Sequence, residues 1–266
     1  MLVTETATKT LLQVEHAQIG YQTPAGFHVA VGDVSFEIAP RERIVVIGPS
    51  GGGKSTLLKA IAGFLPLAGG SIVVDGRPSP PPGPDRAVVF QEFDQLFAWR
   101  TVLDNVAYPL RVNGRSRREA ATIAREYLEL MHLGAAADRH PHELSGGMKQ
   151  RVAIARALAL EPLVLLMDEP FGSLDAITRT RLQNELLANV QRVGVTLLFV
   201  THSIDEALVI GERIVVLSHA PSSVREIVDV RGVGGRDTPE YAEMRPYLRS
   251  LLTVDGEDEE EDEAHG

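Results

Sequence analysis

The sequence predicts an α/β fold built around a mostly parallel β-sheet. Continuous apolar runs of strand length recur along the chain, which is typical of strands buried on both faces of a parallel sheet. These runs cover residues 44–47, 72–74, 87–90, 163–167, 197–200 and 214–217. Segments with helical periodicity separate several of them, at about residues 55–64, 117–131, 147–158 and 178–193. Strands and helices that alternate in this way favour the α/β class.

Three regions depart from this alternation. Residues 11–40 alternate more strictly between apolar and polar positions and carry turn residues, so we expect antiparallel strands packed on the core sheet. Residues 91–161 show few strand signals, which predicts an inserted helical subdomain at about 92–160. After Ser218 the pattern weakens to a short strand near 224–230 and a helix near 239–252, in a short C-terminal extension of about 218–254.

The composition is that of an ordinary globular protein. The 266 residues include no cysteine, no apolar run long enough to cross a membrane and no pattern of a signal peptide at the start. The net charge of −10 is concentrated in residues 255–266, which hold eight acidic residues; the rest of the chain has 28 acidic and 26 basic residues. We expect a disordered, solubilising tail, with a partner-binding role as the alternative, and no nucleic-acid binding by the nearly neutral body.

A glycine-rich loop between the first apolar run and a helix predicts a phosphate-binding site. Gly48-x-x-x-x-Gly53-Lys54-Ser55 has the spacing of a phosphate-binding loop, with a strand before it and a helix after it. Glycines let backbone N–H groups converge on phosphate oxygens, the lysine reaches the β- and γ-phosphates, and the serine hydroxyl can ligate Mg²⁺. A glycine-rich surface turn is the alternative. The candidate nucleotide-binding residues are Gly48, Pro49, Ser50, Gly51, Gly52, Gly53, Lys54, Ser55 and Thr56.

Two adjacent carboxylates follow a second apolar strand. Asp168 and Glu169 end the stretch LVLLMDEP, where the carboxyl ends of parallel strands place ligands. We expect Asp168 to hold Mg²⁺ and Glu169 to polarise the water that attacks the γ-phosphate. An acidic turn closed by Pro170 would be the alternative, which the glycine-rich loop upstream makes less favoured.

A second glycine-bearing turn opens another helix. The stretch LSGGMKQR, residues 144–151, can also present N–H groups and a serine hydroxyl to a phosphate. Because one chain needs only one cradle for one γ-phosphate, a second cradle indicates a nucleotide shared between two subunits.

These motifs, taken in order, resemble the ATP-binding subunit of ABC transporters. The matching segments are 48–56, Gln91, 144–151, 163–170, Ser173-Leu174-Asp175 and His202, within residues 11–217. The resemblance implies a P-loop NTPase (RecA-like) core, with the antiparallel β subdomain and the helical subdomain inside one ATPase domain of residues 1–254. It also implies ATP hydrolysis with Mg²⁺ and a head-to-tail dimer.

The resemblance assigns further roles. Gln91 would sense Mg²⁺ and the attacking water, and His202 would contact the γ-phosphate. ATP would lie between the glycine-rich loop of one copy and Ser145, Gly146 and Gly147 of the other. Asp175 would belong to the loop through which the two copies touch near that water. Tyr21 is our candidate for the aromatic residue that stacks on adenine, with Phe27 as the competing candidate and a core-facing tyrosine as the alternative.

Three segments resemble one branch of this family, the nitrate, sulfonate and taurine importers. They are residues 90–110, 168–179 and 217–230. The branch implies integral-membrane permease partners, a periplasmic or lipoprotein solute-binding protein and a place at the cytoplasmic side of the cell membrane. The alternatives are an exporter or an ABC ATPase without a permease. Residues 92–99 would lie where the permease docks, and Trp99 would serve either docking or core packing.

Overall fold

The computed structural model describes residues 10–24, 26–78, 80–91 and 95–253. Ten strands are present among them: β1 (Leu12–Thr23), β2 (Gly26–Ile38), β3 (Arg43–Ile47), β4 (Gly69–Val74), β5 (Arg77–Pro78), β6 (Arg86–Val89), β7 (Val164–Asp168), β8 (Thr196–Val200), β9 (Arg213–Leu217) and β10 (Ser222–Asp229). Seven α-helices accompany them: α1 (Lys54–Ile61), α2 (Val102–Val112), α3 (Arg117–Leu130), α4 (Gly146–Leu158), α5 (Ala176–Val193), α6 (Ile204–Ile210) and α7 (Pro239–Leu252).

All ten strands join one sheet in the order β5-β4-β1-β2-β10-β9-β3-β8-β7-β6. From β9 to β6 every neighbouring pair is parallel, whereas β1, β2, β4 and β5 pair antiparallel. The two halves meet at β10, which is antiparallel to β9 and parallel to β2. The α/β class, the mostly parallel core and the antiparallel start are therefore as predicted, and β10 joins the sheet at its middle.

The parallel strands are buried on both faces, as their continuous apolar runs predict. In β3, Ile44 and Val46 face a core that also contains Leu57 and Ile61 of α1 and residues of the antiparallel strands. Val45 and Ile47 face the opposite core, which is formed with α2 to α7. Helix α1 is thus enclosed between the parallel strands and the curled antiparallel strands, and the loop before it is fixed from both sides.

Between β6 and β7 the described residues form helices joined by turns, and none of them belongs to a strand. This segment contains α2, α3 and α4 with two single-turn 3₁₀ helices, Gly134–Ala136 and Pro141–Glu143. Ser116 caps α3 through a reciprocal capping box with Glu119, which satisfies two backbone donors at the start of the helix. The division into subdomains stays a prediction, and the acidic tail of residues 255–266 lies outside the described residues.

Candidate functional site

The site forms where four parallel strands end side by side. Strands β6, β7, β8 and β3 are neighbours in the sheet and run in the same direction. Their carboxyl ends lead to Gln91, to Asp168 and Glu169, to His202 and to the glycine-rich loop of residues 48–53. Residues that are more than 100 positions apart in sequence therefore share one edge, which is where ligands bind in open α/β sheets.

The glycine-rich loop adopts a backbone conformation that would be strained for residues other than glycine. Gly51 and Gly53 both have φ of 74°, in the left-handed region that glycine enters without cost. Gly53 is the N-cap of α1, so the first N–H groups of that helix have no partner within the helix and lie next to the loop. The arrangement presents free backbone donors at the positive end of a helix dipole.

The turn between β9 and β10 packs against this loop. A Cβ at Gly52 would lie 3.2 Å from the carbonyl oxygen of Ser218, and one at Gly48 would lie 3.1 Å from Cβ of Leu217. A Cβ at Gly53 would lie 3.2 Å from Oγ of the buried Ser222. Because this contact is made by a distant part of the chain, the motif did not reveal it. The glycines serve close packing as well as phosphate access.

Lys54 lies at the centre of the loop with its ammonium group buried. The residue is 6% exposed, and Nζ donates hydrogen bonds to the carbonyl oxygens of Gly48 and Pro49 at 2.8 Å each. Burial lowers the pKa of Lys54, while the negative charges of Glu169 and Asp168 act to raise it. The two carboxylates thus offset part of the cost of placing a positive charge here.

Asp168 and Ser55 form the oxygen donor pair of the site. The Ser55 hydroxyl donates to Oδ1 of Asp168 at 2.8 Å, across the gap between α1 and β7. Burial raises the pKa of Asp168 above its usual value, and the hydrogen bond from Ser55 acts in the opposite direction. A hydroxyl and a carboxylate side by side suit Mg²⁺, which is usually held by one or two protein oxygens together with phosphate oxygens. Ser55 and Asp168, two of the three predicted magnesium ligands, therefore lie together in an arrangement that could hold this ion.

Glu169 occupies a strained backbone position and contacts His202. Its φ is 42°, which is rare for a residue with a side chain and is maintained by the hydrogen bond from its N–H to the carbonyl of Val200 at 2.9 Å. Its Oε2 lies 3.0 Å from Nδ1 of His202. The His202 side chain is 61% exposed and that of Glu169 is 20% exposed, so the histidine lies on the solvent side of the pair.

Gln91 lies beside Gly172, and Tyr21 lies beside the first turn of α1. The Gln91 amide lies over Gly172, where a Cβ would approach Nε2 to 3.1 Å. The Tyr21 hydroxyl is 2.7 Å from Oγ1 of Thr56, the last residue of the predicted phosphate motif. Tyr21 is 37% exposed, which argues against a core-facing role, and Phe27 is also exposed.

The second glycine-bearing turn is not joined to the first within one chain. Ser145 is exposed and caps α4, accepting a hydrogen bond from the N–H of Met148 at 3.4 Å. Gly147 packs on Thr178 of α5, where a Cβ would lie 3.0 Å from the methyl carbon. Among the residues that the structure describes, no hydrogen bond connects this turn to the glycine-rich loop. Asp175 caps α5 by accepting from the N–H of Thr178 at 2.9 Å, which lowers its pKa.

Comparison with known proteins decides the family. The profile described as ABC transporter matches residues 31–172, which is more than half of the chain. The chain belongs to the ABC transporter family. This ABC ATPase is 45% identical over 255 residues to the taurine import ATP-binding protein TauB of Rhizobium johnstonii, covering 91% of this chain and 96% of the relative. It is also 46% identical to the nitrate import ATP-binding protein NrtC of Synechococcus elongatus, of which it spans only 38%.

A solved structure supports the fold and the activity. The ABC ATPase matches a dimeric ATP-binding cassette, MJ0796, in a post-hydrolysis state bound to ADP and Pi. The TM-score is 0.73 at 31% identity, over 84% of this chain and 100% of the other. The P-loop NTPase core and the assignment as an ATPase are confirmed by these matches. None of the helices described in this chain combines the length and the apolar character needed to cross a membrane.

One buried network of the ABC ATPase was missed by the sequence analysis. Glu206 of α6 accepts a hydrogen bond from Thr201 at 2.6 Å and another from Gln183 of α5 at 3.1 Å. The pattern Ser203-x-x-Glu206 is a helix-start signal that would have located α6. No sequence pattern indicates that Glu206 pairs with Thr201, because the contact depends on how α5 and α6 pack.

The raised pKa of Asp168 predicts that its charge destabilises the free ATPase. Since the folded-state pKa lies above the ordinary value of 3.8, ionisation favours the unfolded chain at every higher pH. With metal removed by chelator, we expect Asp168→Asn to raise Tm at pH 7.5 by roughly 2 °C or more, on a scale of about 2–4 °C per kcal/mol. The gain should disappear as the pH falls below 3.8.

Asp205→Asn is the matched control with the opposite sign. Burial acts to raise the pKa of Asp205, but hydrogen bonds from Tyr241 and Arg245 outweigh it and lower the pKa. This carboxylate therefore stabilises the fold at neutral pH, and its replacement should lower Tm. Thermal melts of both variants across pH would check the pair. A lower Tm for Asp168→Asn at pH 7.5 would contradict the sign derived for Asp168.

Proposed function

We propose that this chain is the ATP-binding and ATP-hydrolysing subunit of an importer for nitrate, sulfonate, taurine or a similar small anion. The observation that carries the proposal is the 45% identity to a taurine import ATP-binding protein over 96% of that protein's length. The nitrate relative supports the same branch. The geometry supplies the chemistry, because a buried ammonium, two carboxylates and a histidine meet beside a helix N-terminus.

ATP and Mg²⁺ are the proposed ligands of the strand-end site. Backbone N–H groups of residues 48–56, other than Pro49, and the Lys54 ammonium would bind the phosphates, and Ser55, Asp168 and Gln91 would hold the metal. When bound, Mg²⁺ supplies charge neutralisation on the phosphate oxygens. Lys54 now donates to the carbonyl oxygens of Gly48 and Pro49. Phosphate oxygens are stronger acceptors, so the ammonium would give up these carbonyls and donate to a phosphate when one is bound.

Glu169, His202 and Gln91 are the proposed catalytic residues. Glu169 would accept the proton of the attacking water, from a backbone position with φ of 42°. The hydrogen bond between Glu169 and His202 would hold both side chains in a fixed orientation before the γ-phosphate arrives. Tyr21 is the proposed adenine platform, because its hydroxyl is fixed to Thr56 while its ring stays partly exposed.

A second copy of the chain would complete each site. Ser145 and Gly146 are accessible at the N-terminus of a 13-residue helix, while Gly147 packs that helix on α5, which Asp175 caps. We propose that these residues of one copy close on the glycine-rich loop of the other, as in a two-fold dimer with two equivalent sites. ATP would then favour the closed dimer, and hydrolysis would release it and drive the permease.

An aromatic groove is the proposed permease site. It encloses about 540 Å³ and is lined by Phe64, Phe90, Phe97, Tyr108 and Arg156, among others. Residues 92–94 of the predicted docking stretch lie outside the described residues, but Trp99 is 75% exposed and its ring packs on Phe97 at 5.5 Å. This exposure favours docking over core packing. The chain would thus sit at the cytoplasmic side of the membrane, beneath a permease served by a periplasmic or lipoprotein solute-binding protein.

Glu169→Gln tests the catalytic assignment. The substitution keeps the shape of the side chain but removes the base, so we expect ATP binding to persist, hydrolysis to fall by about 100-fold or more, and a dimer to accumulate with ATP. Size-exclusion chromatography with light scattering and phosphate release would measure both. Glu161→Gln is the control, because Glu161 precedes the same strand and also has positive φ (50°) but lies at its opposite end. Parental hydrolysis by Glu169→Gln would remove Glu169 from the mechanism.

Trp99→Ala tests the docking groove. Truncation of a tryptophan that acts as an interface hot spot costs about 2 kcal/mol or more, so we expect affinity for the permease to fall roughly 30-fold while ATP hydrolysis by the isolated chain is unchanged. Binding would be measured on the detergent-solubilised permease of its own transport system. Tyr247→Ala, on the exposed face of α7, is the matched aromatic control. Equal affinity of both variants and the parent would place the permease elsewhere.

A further inference from the structure

Glu206 is a buried carboxylate to which the proposed mechanism assigns no role. It lies in the first turn of α6 and is 5% exposed. Burial of a carboxylate is unfavourable unless the group is paired and hydrogen-bonded, so its partners indicate what the charge maintains.

One oxygen of Glu206 holds the histidine turn, which we define as residues 201–203. Oε2 accepts from the hydroxyl of the buried Thr201 at 2.6 Å, and the same hydroxyl accepts from the N–H of Ser203 at 3.0 Å. The Ser203 hydroxyl in turn accepts from the N–H of Glu206 at 3.3 Å. The residues before and after His202 are therefore both fixed by hydrogen bonds that lead back to one carboxylate.

The other oxygen reaches α5 and the segment before it. Oε1 accepts from Nε2 of Gln183 at 3.1 Å and lies 3.9 Å from Nε of Arg179. Nη2 of Arg179 donates to the carbonyl of Leu174 at 3.0 Å, and Asp175 follows Leu174 directly. A path of hydrogen bonds, with one longer ion pair between Arg179 and Glu206, thus leads from the segment proposed to touch the second copy to the histidine turn.

We propose that Glu206 is a positioning residue for ATP hydrolysis that couples the Leu174–Asp175 segment to His202. When the second copy contacts Asp175, the arrangement of that segment is passed through Arg179 and the carboxylate to the histidine turn. Glu206 itself touches no nucleotide. The inference rests on the proposed roles of His202 and Asp175, and it adds the physical connection between them.

The test compares kcat, KM for ATP and Tm in variants of the full chain. For Glu206→Gln we expect kcat to fall roughly 10- to 100-fold, because a small displacement of a catalytic group has effects of that size, while KM stays within about twofold. Thr201→Val should likewise lower kcat and leave KM nearly unchanged. Thr201→Ser keeps the hydroxyl and should therefore retain most of the parental kcat. Glu42→Gln is the control: Glu42 is also buried and is paired with Arg213, but it precedes β3 and so lies at the amino-terminal edge of the parallel strands, opposite to the site. It should lower Tm and leave kcat unchanged below the melting range.

Double variants separate coupling from general destabilisation. Glu206→Gln combined with Thr201→Val should be no slower than the slower single variant, because both remove one connection. Glu206→Gln and Glu42→Gln should act independently on Tm and leave kcat at the Glu206→Gln level. If Glu206→Gln keeps the parental kcat, or loses it only in step with unfolding as Glu42→Gln does, the inference is overturned.

His202→Ala distinguishes this failure from failure of the proposed function. If His202→Ala lowers kcat strongly and Glu206→Gln does not, His202 keeps its role and Glu206 is a structural residue only. If His202→Ala keeps the parental kcat, the proposed role of His202 fails, and with it the coupling that ends there.

Discussion

The buried ammonium of Lys54 is the charge on which the rest of the site depends. Removing it from water is unfavourable, and the neighbouring carboxylates of Asp168 and Glu169 offset part of that cost. Asp168 is itself destabilised by burial and is held by Ser55. The strand ends therefore bring two negative charges close to one buried positive charge: each carboxylate attracts Lys54, whereas the two carboxylates repel each other. A triphosphate with its metal would supply a counter-charge for both signs.

The fold surrounds this charged centre with elements that limit its movement. Helix α1 is packed between the parallel and the antiparallel strands within one core, and the β9–β10 turn contacts the glycines of the loop. Glu169 keeps an unfavourable backbone conformation beside this rigid centre. By contrast, His202 and Ser145 are exposed, so the groups assigned to the γ-phosphate and to the second copy stand where another chain can reach them. The chain thus combines a tightly packed phosphate site with two exposed residues, His202 and Ser145, that a second copy could contact.

Local patterns predicted much of this molecule, and contacts between distant segments account for most of what they missed. The glycine spacing from Gly48 to Ser55 located the loop, because its backbone requirements are local, and apolar runs located the parallel strands. The place of β10 in the middle of the sheet follows from pairing with β2 and β9, which no local pattern encodes. The Glu206 network was equally invisible, since it depends on the packing of α5 against α6. The contact between Tyr21 and Thr56 was also not indicated by any local pattern.

The central claim is that each ATP lies between Lys54 of one copy and Ser145 of the other. Mixed dimers of two inactive variants, Lys54→Ala and Ser145→Arg, test it most directly. In a mixed dimer one shared site carries both substitutions and the other carries neither, so about a quarter of all sites should regain single-turnover ATP hydrolysis. A variant with both substitutions in one chain, mixed with the parental chain, should show no intact site in its mixed dimers. If the two single variants fail to complement each other, the shared site is contradicted.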